Sequence, residues 1–119
     1  MIVELEWQQN ALVSRIKVRR LDAGVAGEVK RELVGRLQQD DAQLLINLKE
    51  VEFMDSTGLG ALISVLKHAP RPTDVGLCEL RPPVLQLLKL TRMDRVLAIW
   101  ATEAAGVAAI NADSGDEPG

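Results

Sequence analysis

The chain has 119 residues, 47% of them hydrophobic and 26% charged, which suits one globular domain around one core. Its net charge of −3 argues against general nucleic-acid binding, and no apolar run approaches the roughly 20 residues of a membrane-spanning helix. The single cysteine, Cys78, excludes an internal disulfide and a Cys-pair zinc site, and 3% aromatics with no Tyr require an aliphatic core.

Val3, Leu5 and Trp7 alternate with Glu4, Glu6 and Gln8, the period of a half-buried strand. This opening lacks the basic-then-apolar order of a signal peptide, so a cytoplasmic setting is expected. Gln8-Gln9-Asn10 suits a turn. Leu12, Ile16 and Val18 then alternate with Arg15, Lys17 and Arg19. An antiparallel second strand would set this basic face beside Glu4 and Glu6. Without interleaved aromatics the stripe reads as cross-strand charge pairing, not as a nucleic-acid contact. Asp22 is placed to cap a helix in which Val25, Val29, Leu33 and Leu37 recur every four residues. Residues 38–41, all polar, end it.

Residues 44–48, LLINL, form a near-continuous apolar run, as in a strand buried on both faces. Lys49-Glu50 breaks it. Asp55-Ser56-Thr57-Gly58 follows, and Leu59, Leu62, Ile63 and Leu66 then fall at helical spacing. Ser56 and Thr57 are candidates for the N-cap, and Asp55 also suits a helix start. Gly58 and Gly60 leave the turn bare of side chains. A polar turn where a buried strand feeds a helix is where open α/β sheets place function.

Beyond the stiff Pro70-Arg71-Pro72-Thr73 loop, residues 74–80 read as a short strand. Pro82-Pro83 suits the first turn of a helix, where no backbone donor is needed, with Val84, Leu87 and Leu88 inside. Residues 96–100 read as a last strand. Thr102 caps a final helix carrying Ala105, Val107, Ala108 and Ile110, which Gly106 weakens. Residues 1–110 would form the domain, and the polar, acidic residues 111–119 a disordered tail. The order β-β-α-β-α-β-α-β-α predicts a single α/β domain. It has a small, mixed, mostly parallel sheet, an N-terminal antiparallel hairpin and about four helices.

The string Val51-Glu52-Phe53-Met54-Asp55-Ser56-Thr57-Gly58-Leu59-Gly60 resembles the STAS family and, within it, the anti-sigma factor antagonists. Arg20-Leu21-Asp22-Ala23 and Leu90-Thr91-Arg92-Met93-Asp94 extend the resemblance over roughly residues 4–110. The resemblance implies a non-enzymatic domain that binds an anti-sigma factor, itself a serine kinase, and so frees a sigma factor. Phosphorylation would abolish that binding, and a serine phosphatase would restore it. Carried over by position, Ser56 is the phosphoacceptor, Asp55 its neighbour at the kinase-facing turn, and Thr57 a second hydroxyl suited to capping. Asp22 matches the family's aspartate near the same edge. Asp22, Asn47, Asp55, Ser56, Thr57, Gly58 and Leu59 are together the expected partner-binding surface.

Two positions depart from the family's pattern. Asn47 stands where an aspartate usually ends the central strand, and Arg19-Arg20-Leu21-Asp22 lacks the usual glycine. The alternative reading is an interaction subunit of a signalling scaffold or lipid-transport complex that is never phosphorylated. A nucleotide- or lipid-binding module is a third, for which the sequence supplies no base-specific pocket. A dinucleotide turn at Gly58-Leu59-Gly60 fails at its third glycine, replaced by Ile63. His68 follows Ser56 by twelve positions, roughly 18 Å along a helix, too far for a hydrolytic pair. No catalytic residue, metal or cofactor is expected.

Overall fold

The computed structural model describes residues 2–40 and 42–113. Its strands are β1 (Val3–Gln8), β2 (Ala11–Ile16), β3 (Arg20–Leu21), β4 (Gln43–Asn47), β5 (Phe53–Met54), β6 (Val75–Cys78) and β7 (Ala98–Trp100). Its helices are α1 (Ala26–Asp40), α2 (Ser56–His68), α3 (Pro82–Leu90) and α4 (Glu103–Asp113), with 3-10 turns at Pro72–Asp74 and Met93–Arg95.

The alternating apolar residues of β1 and β2 close a hairpin through Gln9 and Asn10, with Gln9 in the left-handed region at φ 60°. Its register sets Glu4 opposite Arg15. Arg15 reaches Glu4 at 3.5 Å and Glu6 at 2.8 Å, the cross-strand pairing expected of the stripe. From β2 the sheet continues in parallel in the order β1-β2-β4-β6-β7. Each crossover joins neighbouring strands in the same direction, and right-handed connections therefore place α1, α2 and α3 on one face.

The run at residues 44–48 explains the two-layered core. Leu44 and Ile46 face Val29 and Leu33 of α1, Leu62 and Val65 of α2, and Val84 and Leu88 of α3. Leu45 points the other way, with Ala11, Val13 and Cys78, onto Ile110 and Val107 of α4. Each such aliphatic side chain contributes about 1.5–3 kcal/mol relative to an exposed one. Cys78 is fully buried and its thiol is pushed up to about 12, so it is a core residue.

Several local expectations change. Asp22 does not cap α1 directly. It stands four residues ahead of Ala26 and turns the chain, its carbonyl accepting from the Val25 and Ala26 N–H groups. β7 begins at Ala98, two residues later than expected, because residues 93–97 are drawn into a turn. Helix α4 runs through Asp113, so the first residues assigned to the tail are helical; residues 114–119 lie outside the described residues. Asn111 ties that last turn to the hairpin, its Oδ1 accepting from the Asn10 N–H at 2.8 Å. Gly106, expected to weaken α4, has a packing reason to be there. It is buried, and a Cβ there would stand 2.8 Å from Leu45 Cδ1, so glycine lets α4 lie close on β4. Among the described residues no helix is long and apolar enough to cross a membrane.

Candidate functional site

The site is built by two strands of two residues each. β3 and β5 pair in parallel, with Arg20 beside Phe53 and Leu21 beside Met54. Parallel pairing sends both strands out at the same end, so Asp22 and Asp55, the next residues, leave side by side. The Asp55 N–H reaches back to the Leu21 carbonyl at 3.4 Å. The Arg20 guanidinium lies 4.3 Å over the Phe53 ring and 3.6 Å from the Asp22 carboxylate. Arg19 bonds Glu52. The two arginines of the departed motif are thus engaged along this edge.

Asp55, rather than Ser56 or Thr57, is the N-cap of α2. One carboxylate oxygen accepts from the Thr57 N–H at 3.0 Å, the Gly58 N–H at 3.0 Å and the Thr57 hydroxyl at 2.7 Å. A carboxylate can take three donors at once, which a hydroxyl at this position cannot match. The Thr57 hydroxyl and the Gly58 N–H hold the Asp55 carboxyl below its usual range, so it stays ionised. Thr57 therefore donates to the cap and is not itself the cap. Ser56 follows at the first helical position, exposed, and among the described residues its hydroxyl is not committed to any other group.

Gly58 fixes this geometry from beneath. It is buried, and an added Cβ would fall on the Leu21 carbonyl oxygen. Leu59 is 7% exposed and packs into the core. Gly58 and Leu59, expected at the partner surface, lie buried and shape the turn from inside, while Asp22 and Asp55 are half-buried and Ser56 and Thr57 exposed. A shallow groove of about 350 Å³ runs from Ser56 between α1 and α2, with Lys30 and Gly27 on one wall and Gly60 and Ala61 on the other.

Asn47 does not join this cluster. It is 7% exposed and faces α4. Its amide donates to Glu103 Oε1 at 2.8 Å and its carbonyl accepts the Lys49 N–H at 2.8 Å. Arg15 grips Glu103 with two bonds, at 3.0 and 2.8 Å, and Gln8 adds a third contact at 3.2 Å. Glu79 accepts the Glu103 N–H at 2.8 Å. An aspartate at position 47 would face the Glu103 carboxylate, so the amide fits this chain. Sequence reasoning missed this cluster because Arg15, Asn47 and Glu103 are far apart in the chain. Only the Arg15 stripe hinted at it. Among the described residues no group of three or more His, Cys, Asp or Glu is arranged to hold a metal ion.

Arg15, and to a lesser degree Asn47, hold the Glu103 carboxyl below its ordinary value of 4.5. The folded chain then binds this proton less readily than the unfolded chain. The stability it supplies is full above about pH 4.5 and lost as the pH falls through the lower folded value. Glu103→Gln is expected to be less stable than the parent at pH 7, with the gap closing toward pH 3. Urea midpoints across that range read it, and a gap independent of pH would contradict it.

The STAS domain family profile matches residues 3–106. The chain is 25% identical over 103 residues to the anti-sigma F factor antagonist of Paenibacillus polymyxa, covering 85% of this chain and 87% of that one. It is 30% identical over 95 residues to the anti-sigma-B factor antagonist of Bacillus subtilis (strain 168), covering 73% and 87%. The anti-sigma factor antagonist SpoIIAA in its unphosphorylated form superposes with a TM-score of 0.76 at 19% identity, over 92% of this chain and 96% of that one. The phosphorylated form of the Bacillus protein superposes at 0.68 and 18%, over 91% and 98%. With the profile spanning most of its length and the β3–β5 pair delivering Asp22 and Asp55 to one edge, the chain belongs to the STAS domain family.

Proposed function

We propose that this chain is an anti-sigma factor antagonist whose binding is switched by phosphorylation of Ser56. The observation that carries the reading is the contrast within the turn. Asp55, Thr57 and Gly58 are locked together, while the Ser56 hydroxyl beside them stands free at the surface. A kinase can therefore reach Ser56 without opening the core. The added group brings about −1.5 to −2 charges to a helix N-terminus, whose free N–H groups tolerate an anion. The fold survives. A partner surface that met a neutral hydroxyl next to an ionised Asp55 now meets two adjacent anions and must desolvate both. The partner is an anti-sigma factor with serine kinase activity, and a serine phosphatase reverses the step. Asp22, Asp55, Ser56 and Thr57 form the contact surface. The names of the two curated relatives and the phosphorylated form of SpoIIAA support the assignment.

Peptide mass spectrometry of the protein recovered from its own cells tests this. The expected result is phosphate on Ser56 and not on Thr57, with an anti-sigma kinase co-purifying. An unmodified Ser56 under growth and stress alike, with transport or scaffold proteins bound instead, would overturn it in favour of the interaction-subunit reading.

A further inference from the structure

Resting on the reading of Ser56 as a phosphoacceptor, we propose that Lys30 of α1 is the intramolecular cation that holds the phosphoryl group. The pair closes the groove between α1 and α2.

Ser56 and Lys30 line the same groove from opposite walls. Lys30 is the charged residue that lines it among the described residues, while the Arg31 guanidinium lies outside the lining beside Gly27, 3.5 Å from the position of a Cβ there. The other lining residues, Ala26, Gly27, Thr57, Gly60, Ala61 and Ser64, all have short side chains. A helical side chain slopes toward the N-terminus of its helix, over the turn before its own Cα. Lys30 therefore projects back over the Ala26 and Gly27 level, where the groove opens at Ser56. Its flexible four-carbon stem lets the ammonium adjust to an incoming anion. Lys30 is exposed, and among the described residues no carboxylate is paired with it, so no existing ion pair must break.

Electrostatics at Ser56 give the pair its direction. Asp55 is ionised and repels a phosphate from the β3–β5 side. Asp22 adds a second carboxylate on that side, already answered by Arg20. The lining cation Lys30 lies the other way, across the groove. Phosphorylation would thus do two things. It would add charge at the turn, and it would lay an anion–ammonium bridge over a channel that the unmodified chain leaves open. The switched surface then includes α1 as well as the first turn of α2.

The test uses the full chain with phosphoserine incorporated at position 56 during translation, so it does not depend on any kinase. Phosphorus NMR follows the second ionisation of that phosphate in the parent and in Lys30→Gln, Lys30→Arg and Arg31→Gln. A nearby ammonium favours the dianion. Lys30→Gln is therefore expected to raise the phosphate's second pKa by about half a unit relative to the parent, the size of a solvent-screened pair a few Å apart. Lys30→Arg should restore the parent value, and Arg31→Gln, which removes the cation beside Gly27, should shift it by less than half as much as Lys30→Gln. Equal values in the parent and Lys30→Gln would overturn the proposal. So would an Arg31→Gln shift as large as that of Lys30→Gln, which would show a general field instead of a specific pair. A chain never modified in its cells would sink the Ser56 reading without touching this measurement.

Discussion

Ser56→Glu is expected to stay folded and to bind the anti-sigma factor about 100-fold or more weakly than the parent, a loss of ~2.7 kcal/mol. Ser56→Ala should bind within about threefold of the parent. The difference follows from where the charge lands. Ser56 is exposed at the first helical position, so neither variant disturbs the core. A carboxylate there is tolerated by the dipole of α2 within the free protein. In a complex it would have to be desolvated beside Asp55, which its hydrogen bonds keep ionised. Alanine removes only a hydroxyl that has no partner among the described residues. Isothermal titration of each variant, with circular dichroism as the control on folding, gives the ratio. If Ser56→Glu bound like the parent while Ser56→Ala lost affinity, the hydroxyl would be a contact and not a switch.

Gly58→Ala is expected to cost about 3 kcal/mol and to lower the melting temperature by roughly 10 °C. The new methyl group would fall on the Leu21 carbonyl oxygen and stand 2.9 Å from Met54 Cγ. The first obstacle is backbone, and it belongs to the β3–β5 pair that presents Asp22 and Asp55. Relief requires α2 to back away from that pair, which breaks the three donors out of Asp55. Gly60→Ala makes the control. Nothing lies within 4 Å of the position a Cβ would take at Gly60. There alanine should stabilise the helix by about 0.5–1 kcal/mol. Thermal melts of both variants distinguish a glycine required by packing from one that is not. Equal effects of the two substitutions would contradict the account of the turn.

Periodicity made the central elements legible. Residues 44–48 fit a strand buried on both faces better than one facing water, and Leu59, Leu62, Ile63 and Leu66 fall at the spacing of one helical stripe. Both appear as expected, as does the hairpin with its Glu4, Glu6 and Arg15 pairing. β3 and β5 were not legible, because two residues carry no period. They exist because the backbone leaving β2 runs beside the segment entering α2, and pairing satisfies both. Three consecutive capping residues, Asp55, Ser56 and Thr57, left the N-cap open. The bonds from the Thr57 and Gly58 N–H groups to the Asp55 carboxylate give the position to Asp55. Asn47 was expected at the partner surface from the resemblance alone. Its true environment depends on Glu103, 56 residues away, whose place on the sheet only the docking of α4 determines.

The central claim is that the phosphate state of Ser56 sets affinity. Titrating the anti-sigma factor that co-purifies with the protein against unmodified chain and against chain fully phosphorylated at Ser56 measures it directly. The account predicts saturable binding of the unmodified form and binding about 100-fold weaker, or none, for the phosphorylated form. Equal affinity of the two forms would contradict it.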